Sequence, residues 1–105
     1  MIFRSNHQVI GYEIKGHSGF AEAGQDIVCA AVSVLTQTGA NALEKIAGVK
    51  PEIHLKDGYL QVILPNNLQE SEREQAKIIF ETILIGLQDV VEAYPRYVKL
   101  KYREV

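Results

Sequence analysis

"VIGYEIKGHSGFAEAGQDIVCAAVS" (Val9–Ser33) changes its period partway along. At its start Ile10, Tyr12 and Ile14 alternate with Gly11, Glu13 and Lys15, the period of two of a half-buried strand. At its end apolar and small residues follow one another without alternation, behind an Asp26 placed as a helix N-cap. Between the two lies a loop from Gly16 to Gln25 containing Gly16, Gly19 and Gly24. This switch from strand to helix sets the reading of the rest of the chain.

Upstream, "MIFRS" (1–5) reads as a short strand and "SNH" (5–7) as a turn, so the chain opens with a hairpin. Downstream, the helix is expected from about 26 to 47, closed by Gly48. Ile27 and Val28 are β-branched, so propensity alone does not favour that start. Ala30, Ala31, Ser33, Gly39, Ala40 and Ala42 are small enough to let another backbone come close. "VKPEIHLKDGYLQVILP" (49–65) is two strands around an Asp57-Gly58 turn, a strong hairpin signal. A second helix is expected from about 70 to 94, ended by Pro95. Asn67 with Glu70, or Ser71 with Glu74, could form its capping box. Its apolar residues go most of the way round, which predicts cover on more than one face. "YVKLKYREV" (97–105) alternates again as a last strand. The order β-β-α-β-β-α-β predicts an α+β fold, with two helices on one largely antiparallel sheet.

The 105 residues suit a single domain over 1–105 with a thin core, for which oligomerisation is a natural aid. The net charge of −2 gives no general drive toward nucleic acid or an anionic membrane. One cysteine excludes an internal disulfide and a cysteine-rich zinc module, and fits a reducing cytoplasm. No signal peptide or membrane span is readable, and the three histidines are too scattered to suggest a metal site. His54 is expected to face solvent, and His7 to sit in a turn. The run Arg96, Lys99, Lys101 and Arg103 reads as a solvated strand face.

With Asp26 as N-cap, Cys29 falls at N3, where free backbone N–H groups and the helix dipole favour a thiolate. A helix end contributes about 0.3–1 kcal/mol, whereas a full pKa unit is worth about 1.4 kcal/mol. The helix alone is therefore too weak, and an active thiolate needs a second cation, for which His17 at the strand end is the nearest candidate. The plainer reading of Cys29 is a small buried hydrophobe, and of His17 a loop residue without a role. Asp26 reads first as a cap. Ser33 shares a helix face with Cys29; its hydroxyl serves either a hydrogen bond near the thiol or, the first expectation, one back to its own helix. The three loop glycines permit unusual backbone angles or a mobile lid, or serve as plain turn residues.

Gly16-His17-Ser18-Gly19, followed by Gly24, Asp26 and "IVCAAVS" (Ile27–Ser33), resembles the signature of the ribosomal-processing cysteine protease family, Prp. The element order is similar along the whole chain. The resemblance implies a cysteine endopeptidase in which Cys29 is the nucleophile and His17 the general base. It places Asp26 and Ser33 near the dyad, and Gly16, Gly19 and Gly24 in a segment that moves when peptide binds. Ser18 stands where the family often has Ala, a small departure. The implied substrate is the N-terminal extension of protein twenty-seven of the large ribosomal subunit, cut after a short hydrophobic segment. The family is dimeric and uses neither a metal nor an organic cofactor. The implied partners are the ribosomal protein precursor and a second copy of the chain, with no direct nucleic acid and no membrane.

Two rivals stand beside a cytoplasmic protease. One is a non-catalytic dimeric module that binds a protein partner, with Cys29 buried and inert. The other is a redox sensor built on an exposed, acidic thiol.

Overall fold

A computed structural model describes residues 1–16, 23–56 and 58–105, with residues 23–25 described by their backbone only. The strands are β1 (Ile2–Ser5), β2 (Gln8–Lys15), β3 (Glu52–Lys56), β4 (Tyr59–Ile63) and β5 (Tyr102–Glu104). The helices are α1 (Ala23–Lys45) and α2 (Glu70–Ala93). They give the expected order, β-β-α-β-β-α-β, and the five strands form one sheet in the order β3-β4-β2-β1-β5.

Both expected hairpins form. Asn6 and His7 turn between β1 and β2 with φ of 51° and 66°, the left-handed pair that a two-residue hairpin needs. The β3–β4 hairpin pairs Lys56 with Tyr59, and Gly58 takes φ +70°; Asp57 lies outside the described residues. All these contacts are antiparallel. The exception is β5, which lies parallel to β1 with Ile2 opposite Tyr102.

The last strand is much shorter than alternation predicts. After α2 the Tyr97 N–H donates to the Tyr94 carbonyl at 3.1 Å, and Tyr97, Val98 and Leu100 pack against the core instead of joining the sheet. Of the basic run, only Arg103 therefore belongs to a strand, although all four side chains are exposed as expected.

α1 begins three residues earlier than Asp26 suggests. Ala23 is a strong helix former, and an acidic residue is as favourable inside the first turn as at the cap. Asp26 is thus not the N-cap, and Gly24 is helical rather than part of the loop. At the other end Gly48 takes φ +67°, and the Val49 N–H reaches back to the Leu43 carbonyl at 2.8 Å. α2 starts at neither expected box. Its N-cap is Gln69, whose N–H donates to the Glu72 carboxylate at 2.8 Å.

Two close approaches lock the helices to the sheet and to each other. A Cβ on Gly39 would lie 2.6 Å from the Tyr12 hydroxyl and 3.0 Å from Ile83 Cγ1. Only glycine lets α1 come so near to both β2 and α2. Gly86 of α2 receives the Leu35 side chain in the same way. Tyr12 stands edge-on to Phe80, with ring centres 5.7 Å apart. Around them Val28, Val32, Leu43, Val62, Ile79, Ile83 and Leu87 complete the core.

The helix layer stops short of β3. On the helix-facing side Tyr12, Val62 and Ile53 stand in one cross-strand row. Tyr12 and Val62 are 1% and 0% exposed, whereas Ile53 is 44% exposed. The outer face of α2 is bare too: Ile78 and Ile85 are exposed, so its apolar surround is covered on one side only among the described residues.

Candidate active site

The helix-facing side of the sheet leaves a cleft of about 550 Å³ at the end where β1 begins, β2 ends and the β3–β4 hairpin turns. One flank of α1 forms a wall. Cys29, Ser33 and Gln37 recur every four residues along that flank. Leu35, on the other side of the helix, packs on Gly86 of α2. Val28, Val32, Leu87, Val91 and Leu100 supply apolar lining, while Leu55, Lys56, Tyr59 and Leu60 line it from the β3–β4 hairpin.

Cys29 is partly exposed and is a free thiol. It is therefore not the buried cysteine of the non-catalytic rival. Its place on the helix differs from expectation, because with α1 starting at Ala23 it is the seventh helical residue. The four unbonded N–H groups of a helix start lie on its first turn, and the dipole fades within that turn. The helix therefore does less for Cys29 than the N3 placement promised, and the need for a separate base grows.

His17 and Gly19 lie outside the described residues. Gly16, the residue before His17, lines the cleft, and its N–H donates to the Gly58 carbonyl at 2.9 Å. That bond ties the end of β2 to the tip of the β3–β4 hairpin. Asp26 is exposed in the first turn of α1. Ser33 is exposed one turn beyond Cys29, and its hydroxyl makes no hydrogen bond to a described residue, its own helix included. The back-bond expected of Ser33 is made by Thr36 instead, whose hydroxyl donates to the Val32 carbonyl at 2.8 Å.

Sequence reasoning missed a polar cluster on the other face of the sheet, behind the cleft, where Glu13 stands opposite Gln61 and Lys15 opposite Tyr59. Glu13 accepts a 2.8 Å hydrogen bond from the Tyr59 hydroxyl and lies 3.7 Å from the Lys15 ammonium. The Tyr59 hydrogen bond is the main cause holding the Glu13 carboxyl below its ordinary value. The same bond raises the Tyr59 phenol. Lys56 and Lys99 are cations in the cleft lining. Strand alternation marked Glu13 and Lys15 as one face, but nothing in the sequence paired them with Tyr59, which is 46 residues away from Glu13. Among the described residues, no group of three His, Cys, Asp or Glu side chains could hold a metal ion. No described helix is long and apolar enough to cross a membrane.

An apolar cleft with a half-exposed thiol on its wall is the equipment of a thiol hydrolase, and comparison with known proteins gives the class: the chain is a cysteine protease. It belongs to the family described as cysteine protease Prp, whose model matches residues 1–99. The ribosomal processing cysteine protease Prp of Bacillus subtilis is 31% identical over 88 residues, 82% of this chain and 79% of the relative. A crystal structure of SMU.848 from Streptococcus mutans superposes with a TM-score of 0.85 at 31% identity, covering 99% of this chain and 91% of that one. The essential ribosomal processing protease Prp of Staphylococcus aureus, solved in complex with a substrate peptide, gives a TM-score of 0.81 at 25% identity, covering 98% of this chain and all of the other.

Proposed function

We propose that the chain, acting as one catalytic domain in the cytoplasm, removes the N-terminal extension of protein twenty-seven of the large ribosomal subunit. His17 takes the proton of Cys29, and the thiolate attacks the scissile carbonyl. His17 then protonates the leaving amine, and water releases the acylated fragment. The observation that carries this reading is that Cys29 and Gly16, the neighbour of His17, line the same apolar cleft. The match of "GHSG" and "DIVCAAVS" to the family signature supports the two roles, and the names of the relatives support the substrate.

Asp26 and Ser33 stand on α1 within about one turn of Cys29, and in this reading they help to orient the peptide. Exposed Ile27 and Val34 on α1, with Ile78 and Ile85 on α2, support a homodimer built on helix faces. The reading is tested by incubating the purified chain with the precursor and sequencing the new N-terminus. A cut that leaves the mature protein is expected, and an intact precursor would remove the reading.

A further inference from the structure

β3 is the end strand of the sheet, and among the described residues it pairs with β4 alone. Every second residue of such a strand turns both its N–H and its C=O away from the sheet, ready for another strand. Natural edges are blunted by charge, a proline, a bulge or a covering element. Here the charges, Glu52 and Lys56, stand at the two ends, Pro51 precedes the strand, and among the described residues no bulge or other strand covers Ile53–Leu55; all five residues are exposed.

The edge also carries apolar side chains where solvent would favour polar ones. Ile53 and Leu55 sit on the helix-facing side, in the rows of Val62 and Leu60, and Leu55 is 71% exposed. They are two residues apart, about 7 Å along the strand. That spacing matches an extended partner with apolar residues at alternate positions. The strand also runs straight into the site. Leu55 and Lys56 line the Cys29 cleft, and Gly58 of the same hairpin holds Gly16. The flank of α1 that carries Cys29, Ser33 and Gln37 forms the opposite wall of that cleft.

We propose that the substrate polypeptide docks as an added strand on the free edge of β3, its alternate apolar side chains resting on Ile53 and Leu55, and passes from there into the cleft at Cys29. This inference deepens the protease reading and rests on it. The occupant is the substrate because the edge is continuous with the cleft. Backbone pairing gives affinity that tolerates sequence change, while the Ile53 and Leu55 surface selects apolar residues at every second position.

The test uses the Cys29→Ala chain and a synthetic peptide spanning the protein twenty-seven extension and the junction after it. Amide hydrogen exchange of Glu52–Lys56 is followed with and without the peptide. Slowed exchange in this segment is expected when peptide binds. Peptide binding with unchanged β3 exchange would overturn the proposal. A second arm measures cleavage by the intact chain of peptides carrying single N-methyl amides. Losses of about fivefold to tenfold in kcat/KM at every second position are expected, the cost of one backbone hydrogen bond each. Uniform sensitivity would overturn the added strand. Ile53→Ser, at a residue outside the cleft lining, is an exposed change that leaves the fold intact. It should raise KM for the long peptide and leave kcat unchanged; no change in KM would overturn the apolar surface. The two readings separate cleanly. Cleavage without β3 protection keeps the protease and removes the docking edge. Protection without cleavage by the wild-type chain keeps the edge and removes the protease.

Discussion

The Tyr12 hydroxyl donates a 2.6 Å hydrogen bond to the Thr36 main-chain carbonyl, tying β2 to α1 in the middle of the core. β2 leads into Gly16 and His17 in the sequence, and α1 carries Cys29, so this bond joins the two elements that the proposed dyad would need to bring together. Tyr12→Phe keeps the ring against Phe80 and removes only the bond. It should cost about 1–2 kcal/mol of stability, read as a lower denaturant midpoint. Burial raises the Tyr12 phenol well above its ordinary value, although the Ala40 backbone opposes this. A raised folded value means stability is complete below the ordinary tyrosine pKa of about 10 and is lost as pH climbs beyond it. Tyr12→Phe should therefore flatten the loss of stability in strong alkali.

The two helical glycines should respond differently to alanine. At Gly39 the new methyl meets the Tyr12 hydroxyl, which is fixed by its own hydrogen bond, and Ile83 beside it. Overpacking there costs about 1–3 kcal/mol, more than the roughly 1 kcal/mol that alanine returns in helix propensity. Gly39→Ala should be destabilising by thermal melt. At Gly86 the nearest atom is a Leu35 methyl, the free end of a flexible side chain. Gly86→Ala should fall within about 1 kcal/mol of wild type.

Glu13 gives a pH signature on the sheet face behind the cleft. Its depressed carboxyl contributes stability that is complete above the ordinary glutamate value of about 4.3 and is lost as pH falls through the folded value. Carbon-detected titration should show Glu13 ionising below the ordinary glutamate value. Tyr59→Phe removes the largest cause of the shift and should move Glu13 back toward that value. An unchanged Glu13 titration in that variant would show that the bond is absent in solution.

The bare isoleucines of α2 predict association. Sedimentation at micromolar concentration should give a dimer, and Ile78→Glu with Ile85→Glu should give a folded monomer. A wild-type monomer would contradict the homodimer and leave the cleft unaffected.

Local chemistry made much of this architecture legible. Asp57-Gly58 and the Asn6-His7 turn each announced a hairpin, Gly48 ended α1, and Pro95 follows closely on the end of α2. The errors came where two local signals competed. An acidic residue is favourable inside a first turn as well as at a cap, so Asp26 points to a start three residues later than Ala23, where α1 begins. The alternation in 97–105 was real, but the residues after Pro95 fill the space beside the cleft, and only Tyr102–Glu104 reaches the sheet. The parallel pairing of β5 with β1 depends on that long-range packing and has no local mark. For the site, Cys29 and Ser33 could be placed on one helix face from spacing alone. The free edge of β3 and the Glu13–Tyr59 pair could not, because each depends on which strands lie side by side.

The central claim is that Cys29, with His17 as its base, cuts the ribosomal precursor. The direct measurement is the single-turnover cleavage rate of that precursor by the wild-type chain, Cys29→Ala and His17→Ala, with folding of each variant checked by its melt. Both variants should lose roughly a thousandfold or more, the scale on which nucleophile and base act together. Cleavage by Cys29→Ala at the wild-type rate would contradict the account.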